Sequence, residues 1–126
     1  MSMSMYPRTI MVAEDEPALR RVIVRRLQTL APAARIIEAQ DGTLALALLH
    51  ATALDAIVTD HLMPGATGLD VLREVRRMGL TIPVVFVSAH AAIVAQALAE
   101  GATRFLDKPF TIAQLDDVLR AVIANG

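Results

Sequence analysis

A small set of side chains in this sequence has the right types to do chemistry together. Glu14, Asp15 and Glu16 form a run of three acids, and Asp60 stands alone after an apolar run. Ser88 follows a second apolar run, and Asp107 and Lys108 follow a third. Carboxylates gathered in one crevice repel one another unless a cation or protons intervene. Hard oxygen ligands of this kind suit Mg²⁺, which takes few carboxylates and keeps several waters. A divalent cation, a hydroxyl such as Ser88 and the compact positive charge of Lys108 around one carboxylate would stabilise a phosphoryl group in transfer. The carboxylate can itself be the nucleophile, forming an aspartyl phosphate. Asp60 is the better acceptor because it stands alone, whereas the adjacent Glu14 and Asp15 look like metal ligands. Lys108 is the single lysine of the chain, the other 11 basic residues being Arg.

The elements that must bring these residues together are legible as an alternation. Apolar runs at 10–13, 35–39, 56–59, 84–87 and 104–106 are each followed by a segment with helical period. The first helix opens at Pro17, where a missing N–H costs nothing, and carries Leu19, Val22, Ile23, Leu27 and Leu30 on one stripe. An Ala/Leu-rich helix follows Asp41-Gly42 to about residue 51, and a third runs from about 68 to 78 with Gly79 just past its end. An Ala-rich helix ends near 100–101. The last begins at a capping box of Thr111 and Gln114 and carries Leu115, Val118, Leu119, Val122 and Ile123. Strands that are continuously apolar need both faces covered. The expected fold is therefore an α/β (βα)5 doubly wound, five-stranded parallel sheet of flavodoxin-like order 2-1-3-4-5. In that order strands 1 and 3 are neighbours, so Glu14, Asp15 and Asp60 converge at the carboxyl ends of the strands.

Composition excludes several rivals. At 126 residues the chain is the size of one domain, expected to span 1–126 with a core at about 8–124. Twelve basic residues against 13 acidic leave a net charge of −1, which argues against a polybasic nucleic-acid arm. Aromatics at 3% are too few for a base-stacking surface. Cysteine is absent, which removes disulfides and thiolate chemistry. No apolar run is long enough to span a membrane. Residues 1–6 lack the basic and apolar regions of a signal peptide, so a cytoplasmic location is expected. The three histidines have no close ligand spacing. Arg20, Arg21, Arg25 and Arg26 would give the first helix a basic face, either simply solvated or able to dock an acidic protein surface.

The chain resembles the response-regulator receiver domains of two-component signalling. The resemblance is carried by Glu14-Asp15 after strand 1, Asp60-His61-Leu62-Met63-Pro64 with Gly68 downstream, Ser88-Ala89, and Lys108-Pro109-Phe110. It departs from the family's pattern at Glu14, where an aspartate is common, and at Ala66, where a bulkier apolar residue is usual.

The resemblance implies that Asp60 is the phosphoacceptor, assisted by Ser88 and Lys108. It implies Mg²⁺ held by Glu14, Asp15, Asp60 and the Leu62 backbone carbonyl. It further implies a cis Lys108–Pro109 bond, an aromatic switch at Phe105, and positions Leu62 and His90 that tune phosphate lifetime. The implied phosphodonor is a sensor histidine kinase or histidine phosphotransferase. The implied output is a surface of the fourth helix, fifth strand and fifth helix that binds a protein target or a second copy of the chain. Such a domain is a switch rather than an enzyme, although it helps catalyse its own phosphorylation and dephosphorylation, and no effector domain is expected.

Three other readings fit the residues less well. A Mg²⁺-dependent phosphohydrolase would want an acid at position 62, which is Leu. A flavodoxin-type cofactor binder would want a hydroxyl- and glycine-rich loop where Glu14-Asp15-Glu16 stands. A phosphorylation-independent interaction domain would keep the fold without using the site.

Overall fold

The computed structural model describes residues 8–123. Five strands, β1 (Thr9–Ala13), β2 (Arg35–Ala39), β3 (Ala56–Thr59), β4 (Val84–Ser88) and β5 (Arg104–Asp107), form one parallel sheet. Their order is β2-β1-β3-β4-β5, as the alternation of runs and helices requires. The inner strands β1, β3 and β4 are buried at every residue, whereas the edge strands β2 and β5 are partly open. That difference is why the inner strands read as unbroken apolar runs.

The helices are α1 (Pro17–Leu30), α2 (Gly42–Ala51), α3 (Gly68–Arg77), α4 (Val94–Ala99) and α5 (Ile112–Ile123). Successive residues of a strand face opposite sides, and so the sheet separates two cores. Ile10 and Val12 of β1 join Ile23, Leu27, Val85, Leu115 and Leu119 beneath α1 and α5. Met11 and Ala13 join Leu49, Ile57, Leu72, Phe86 and Ala97 beneath α2, α3 and α4. Each such fully buried aliphatic side chain stabilises the fold by about 1.5–3 kcal/mol relative to exposure.

Four helices begin on a side-chain cap. The Glu16 carboxylate accepts from the N–H groups of Ala18 and Leu19, and Asp41 accepts from Leu44. Thr67 and Asp70 form a reciprocal capping box on α3, and Thr111 with Gln114 does the same before α5. The capping box expected at Thr111 is thus present.

The fourth helix ends where the sequence places its end, but it is short. Only six residues are α-helical, preceded by a 3₁₀ turn at Ala91–Ile93, and His90 supplies no side-chain cap. Nothing polar at 91–94 can take the free N–H groups of a longer first turn. The other end of α4 is held firmly from α3. Arg73 makes a bidentate pair with Glu100, and the Arg76 guanidinium donates to the carbonyls of Leu80, Ile82 and Gly101.

In a parallel sheet all strands end at the same edge. Ala13 is in register with Thr59, so Glu14 and Asp60 leave neighbouring strands side by side, and Ser88 is in register with Asp107.

Candidate functional site

The crevice at the carboxyl edge is built from one residue per loop. Glu14 is nearly inaccessible at 1% exposure, and its Oε2 accepts from the Glu16 N–H at 3.0 Å. Asp60 is buried too; its Oδ1 accepts from the His61 N–H at 2.6 Å. Lys108 Nζ reaches across from the end of β5 to Asp60 Oδ2 at 3.1 Å and Glu14 Oε1 at 3.4 Å. Its peptide bond to Pro109 is cis, and its own N–H is bonded to the Ser88 carbonyl. Carboxylate oxygens of Glu14, Asp15 and Asp60 lie within 4.8 Å of one another, with Asp15 the exposed member. Such an all-oxygen anionic set could hold a hard divalent cation.

Burial pushes the Glu14 carboxyl up to about 7. The negative charge of Asp60 adds to this, against the Glu16 hydrogen bond and Lys108. Burial pulls Lys108 the other way from its net shift. Its hydrogen bonds to Asp60 and Glu14 and their charges outweigh burial and raise it, so the amine stays protonated.

Ser88 is fully buried at the end of β4. Its hydroxyl is bonded to His90 Nδ1 at 3.1 Å and accepts from the His90 N–H at 3.2 Å. The His90 ring meets the His61 ring edge-on at a centroid distance of 5.9 Å. Burial, reinforced by His90, lowers the His61 pKa, and its Nδ1 is buried with no hydrogen-bond partner among the described residues. Phe105, on β5, stacks parallel to the buried Phe86 at 5.7 Å.

Two glycines let the loop after Asp60 close. A Cβ on Gly68 would collide with the Asp60 carbonyl oxygen, and one on Gly42 would collide with the Ala66 backbone. Ala66 is buried, so the small residue at this position packs under the start of α2. Leu62 lies in the same loop with half of its side chain exposed.

Comparison with known proteins decides the family. A model of the response regulator receiver domain matches residues 10–120. The chain belongs to this family. The receiver is 36% identical over 123 residues to the chemotaxis protein CheY of Pseudomonas aeruginosa, covering 93% of this chain and 98% of that protein. It is 38% identical over 108 residues to the transcriptional regulatory protein NarL of Mycobacterium tuberculosis, covering 84% of this chain but only 50% of that protein. The solved receiver domain of that NarL superimposes with a TM-score of 0.80 at 35% identity, covering 95% of this chain and 99% of that one. CheY4 of Vibrio cholerae gives a TM-score of 0.80 at 26% identity, covering 92% and 98%. The protein is therefore a receiver domain of a two-component response regulator, and among its described residues no helix is long and apolar enough to cross a membrane.

In the receiver, Glu14, Asp15, Asp60 and Lys108 come together as their strand ends require. Ser88 lies at the same edge but is engaged by His90, and Phe105 is apart from the crevice on the Phe86 stack. Glu16, grouped with the acids by sequence, caps α1 instead. The arginines of α1 do not form one free basic face. Arg26 pairs with Asp116 of α5, and Arg20 turns toward the crevice, bonding Glu38 and the Glu14 carbonyl. Sequence placed Arg20 only in a basic helix face and His61 only beside Asp60; their partners Glu38 and His90 lie on other elements, at no fixed spacing.

Proposed function

We propose that this receiver is a phosphorylation-operated switch that takes a phosphoryl group from a histidine kinase or phosphotransferase onto Asp60. The observation that carries the reading is one carboxylate held between a buried acid and the chain's only lysine, Lys108 to Asp60 being 3.1 Å. An Asp60 carboxylate oxygen attacks the phosphorus of a phosphohistidine. An O–P bond forms, the N–P bond breaks, and the imidazole leaves with the electron pair and takes up a proton. Lys108 holds Asp60 in place beforehand and can follow the charge onto the phosphoryl oxygens.

Mg²⁺ fits the donor set of Glu14, Asp15, Asp60 and the Leu62 carbonyl, and would supply positive charge beside the transferring group. Ser88 leaves His90 to donate its hydroxyl to the new dianion. That shift moves the loop into α4 and lets Phe105 leave Phe86. The readout is the α4–β5–α5 face, where a cavity of about 400 Å³ is lined by Phe105, Leu106, Gln114 and Val118 among others. A protein target, or a second copy of the chain, binds there. Charge arriving at one site thereby biases a two-state surface.

The test is mass spectrometry after incubation with acetyl phosphate and Mg²⁺. The parent gains one alkali-labile phosphoryl group and Asp60→Asn gains none; the same modification in Asp60→Asn would overturn the assignment.

A further inference from the structure

We infer that Arg20 is a positioning residue for the acidic pair: its guanidinium orients the Glu14–Asp15 peptide and so sets the receiver's affinity for a divalent cation. The inference rests on the reading of that pair as cation ligands. Arg20 sits in the first turn of α1, and its side chain is only 17% exposed. One nitrogen donates to the Glu14 carbonyl at 2.7 Å, while Nε donates to Glu38 Oε1 on β2 at 3.0 Å. The Glu14 carbonyl belongs to the peptide plane that joins Glu14 to Asp15, so holding it restrains the backbone rotations on either side that aim the two side chains.

The pair has other anchors. The Glu14 N–H is tied to the Ala39 carbonyl, its carboxylate to the Glu16 N–H and to Lys108, and Asp15 is exposed. Without Arg20, the plane between the two acids has one anchor fewer on the side facing solvent. Orientation rather than charge is the operative effect, because the guanidinium meets the Glu14 backbone carbonyl and not its carboxylate. The fork also matters. Arg20 spans a carbonyl and a carboxylate at once, which the single ammonium of a lysine does not match. Glu38 then holds the holder, the usual arrangement behind metal ligands, whose loss weakens metal binding on the order of tenfold or more.

The experiment measures Mg²⁺ affinity by calorimetry and by the Mg²⁺-induced rise in melting temperature, and separately the Mg²⁺ dependence of phosphorylation by acetyl phosphate. Acetyl phosphate avoids any kinase contact on α1. Arg20→Ala should raise the Mg²⁺ concentration for half-saturation on the order of tenfold in both assays, with the rate at saturating Mg²⁺ within about twofold of the parent. Arg20→Lys should behave like Arg20→Ala, and Glu38→Gln should show a smaller shift in the same direction. An unchanged half-saturation in Arg20→Ala, or full rescue by Lys, would overturn the inference. So would a saturating rate that falls together with affinity in a folded variant. If the parent itself shows no Mg²⁺-dependent phosphorylation, the reading of the site fails instead.

Discussion

Lys108 Nζ stands 3.1 Å from Asp60 Oδ2, although the two residues leave strands separated by β4. The amine answers the charge of two buried acids at once, since Glu14 Oε1 is 3.4 Å away. Lys108→Ala leaves both without their cation and should cost about 1–3 kcal/mol in Mg²⁺-free buffer. Added Mg²⁺ should recover part of the loss. Chemical denaturation with and without Mg²⁺ checks both halves.

Glu14→Gln acts in the opposite direction. It removes one of three mutually repelling carboxylates from a pocket whose burial opposes charge. In Mg²⁺-free buffer at neutral pH its melting temperature should exceed the parent's, and the rise caused by Mg²⁺ should shrink. A larger Mg²⁺ response in the variant would contradict the assignment of Glu14 as a ligand.

Gly68→Ala tests how closely the loop after Asp60 is packed. The added Cβ would overlap the Asp60 carbonyl oxygen and come 2.8 Å from the Phe86 ring. We expect a loss of about 1–3 kcal/mol and slower phosphorylation as Asp60 is displaced. Gly79→Ala is the control. Nothing lies within 4 Å of its Cβ, so it should incur only about 1–2 kcal/mol of left-handed backbone strain and leave phosphorylation unchanged.

The pair of α2 and α3 should show an acid limb of its own. Arg77, with His50 assisting, holds the Glu74 carboxyl at about 2 rather than its ordinary 4.5. A lowered native pKa contributes stability that is present above 4.5 and lost as pH falls through 2. Its partner Arg77 faces solvent and the pair is screened, so the effect is modest. Glu74→Gln should flatten the fall in melting temperature between pH 4.5 and 2 without altering its value relative to neighbouring pH points above 6.

Much of the architecture was legible in the residue pattern for a physical reason. Inner parallel strands have no wet face, so 10–13, 56–59 and 84–87 announce themselves, and strand parallelism then places Glu14, Asp60 and Lys108 at one edge. What could not be read is what depends on partners from elsewhere in the fold. A run of three acids gives no sign that Glu16 turns to the N–H groups of Ala18 and Leu19. Four arginines at helical spacing do not reveal that Arg20 meets Glu38 of β2 while Arg26 meets Asp116 of α5. The Ala-rich segment after β4 shows where its helix ends, near 100–101, but not where it starts, because alanine at 91 and 92 supplies no cap to mark a first turn.

That uncapped start divides the labour of α4 between its two ends. Arg73 and Arg76 pin the exit of the helix, while its entrance, next to Ser88 and His90, begins in a 3₁₀ turn with no side chain to close it. Amide hydrogens at 91–95 should accordingly exchange with solvent through local opening, well before those of the capped helices. Among the described helices, α4 alone can rearrange its entrance, beside the Asp60 crevice, without breaking a side-chain cap.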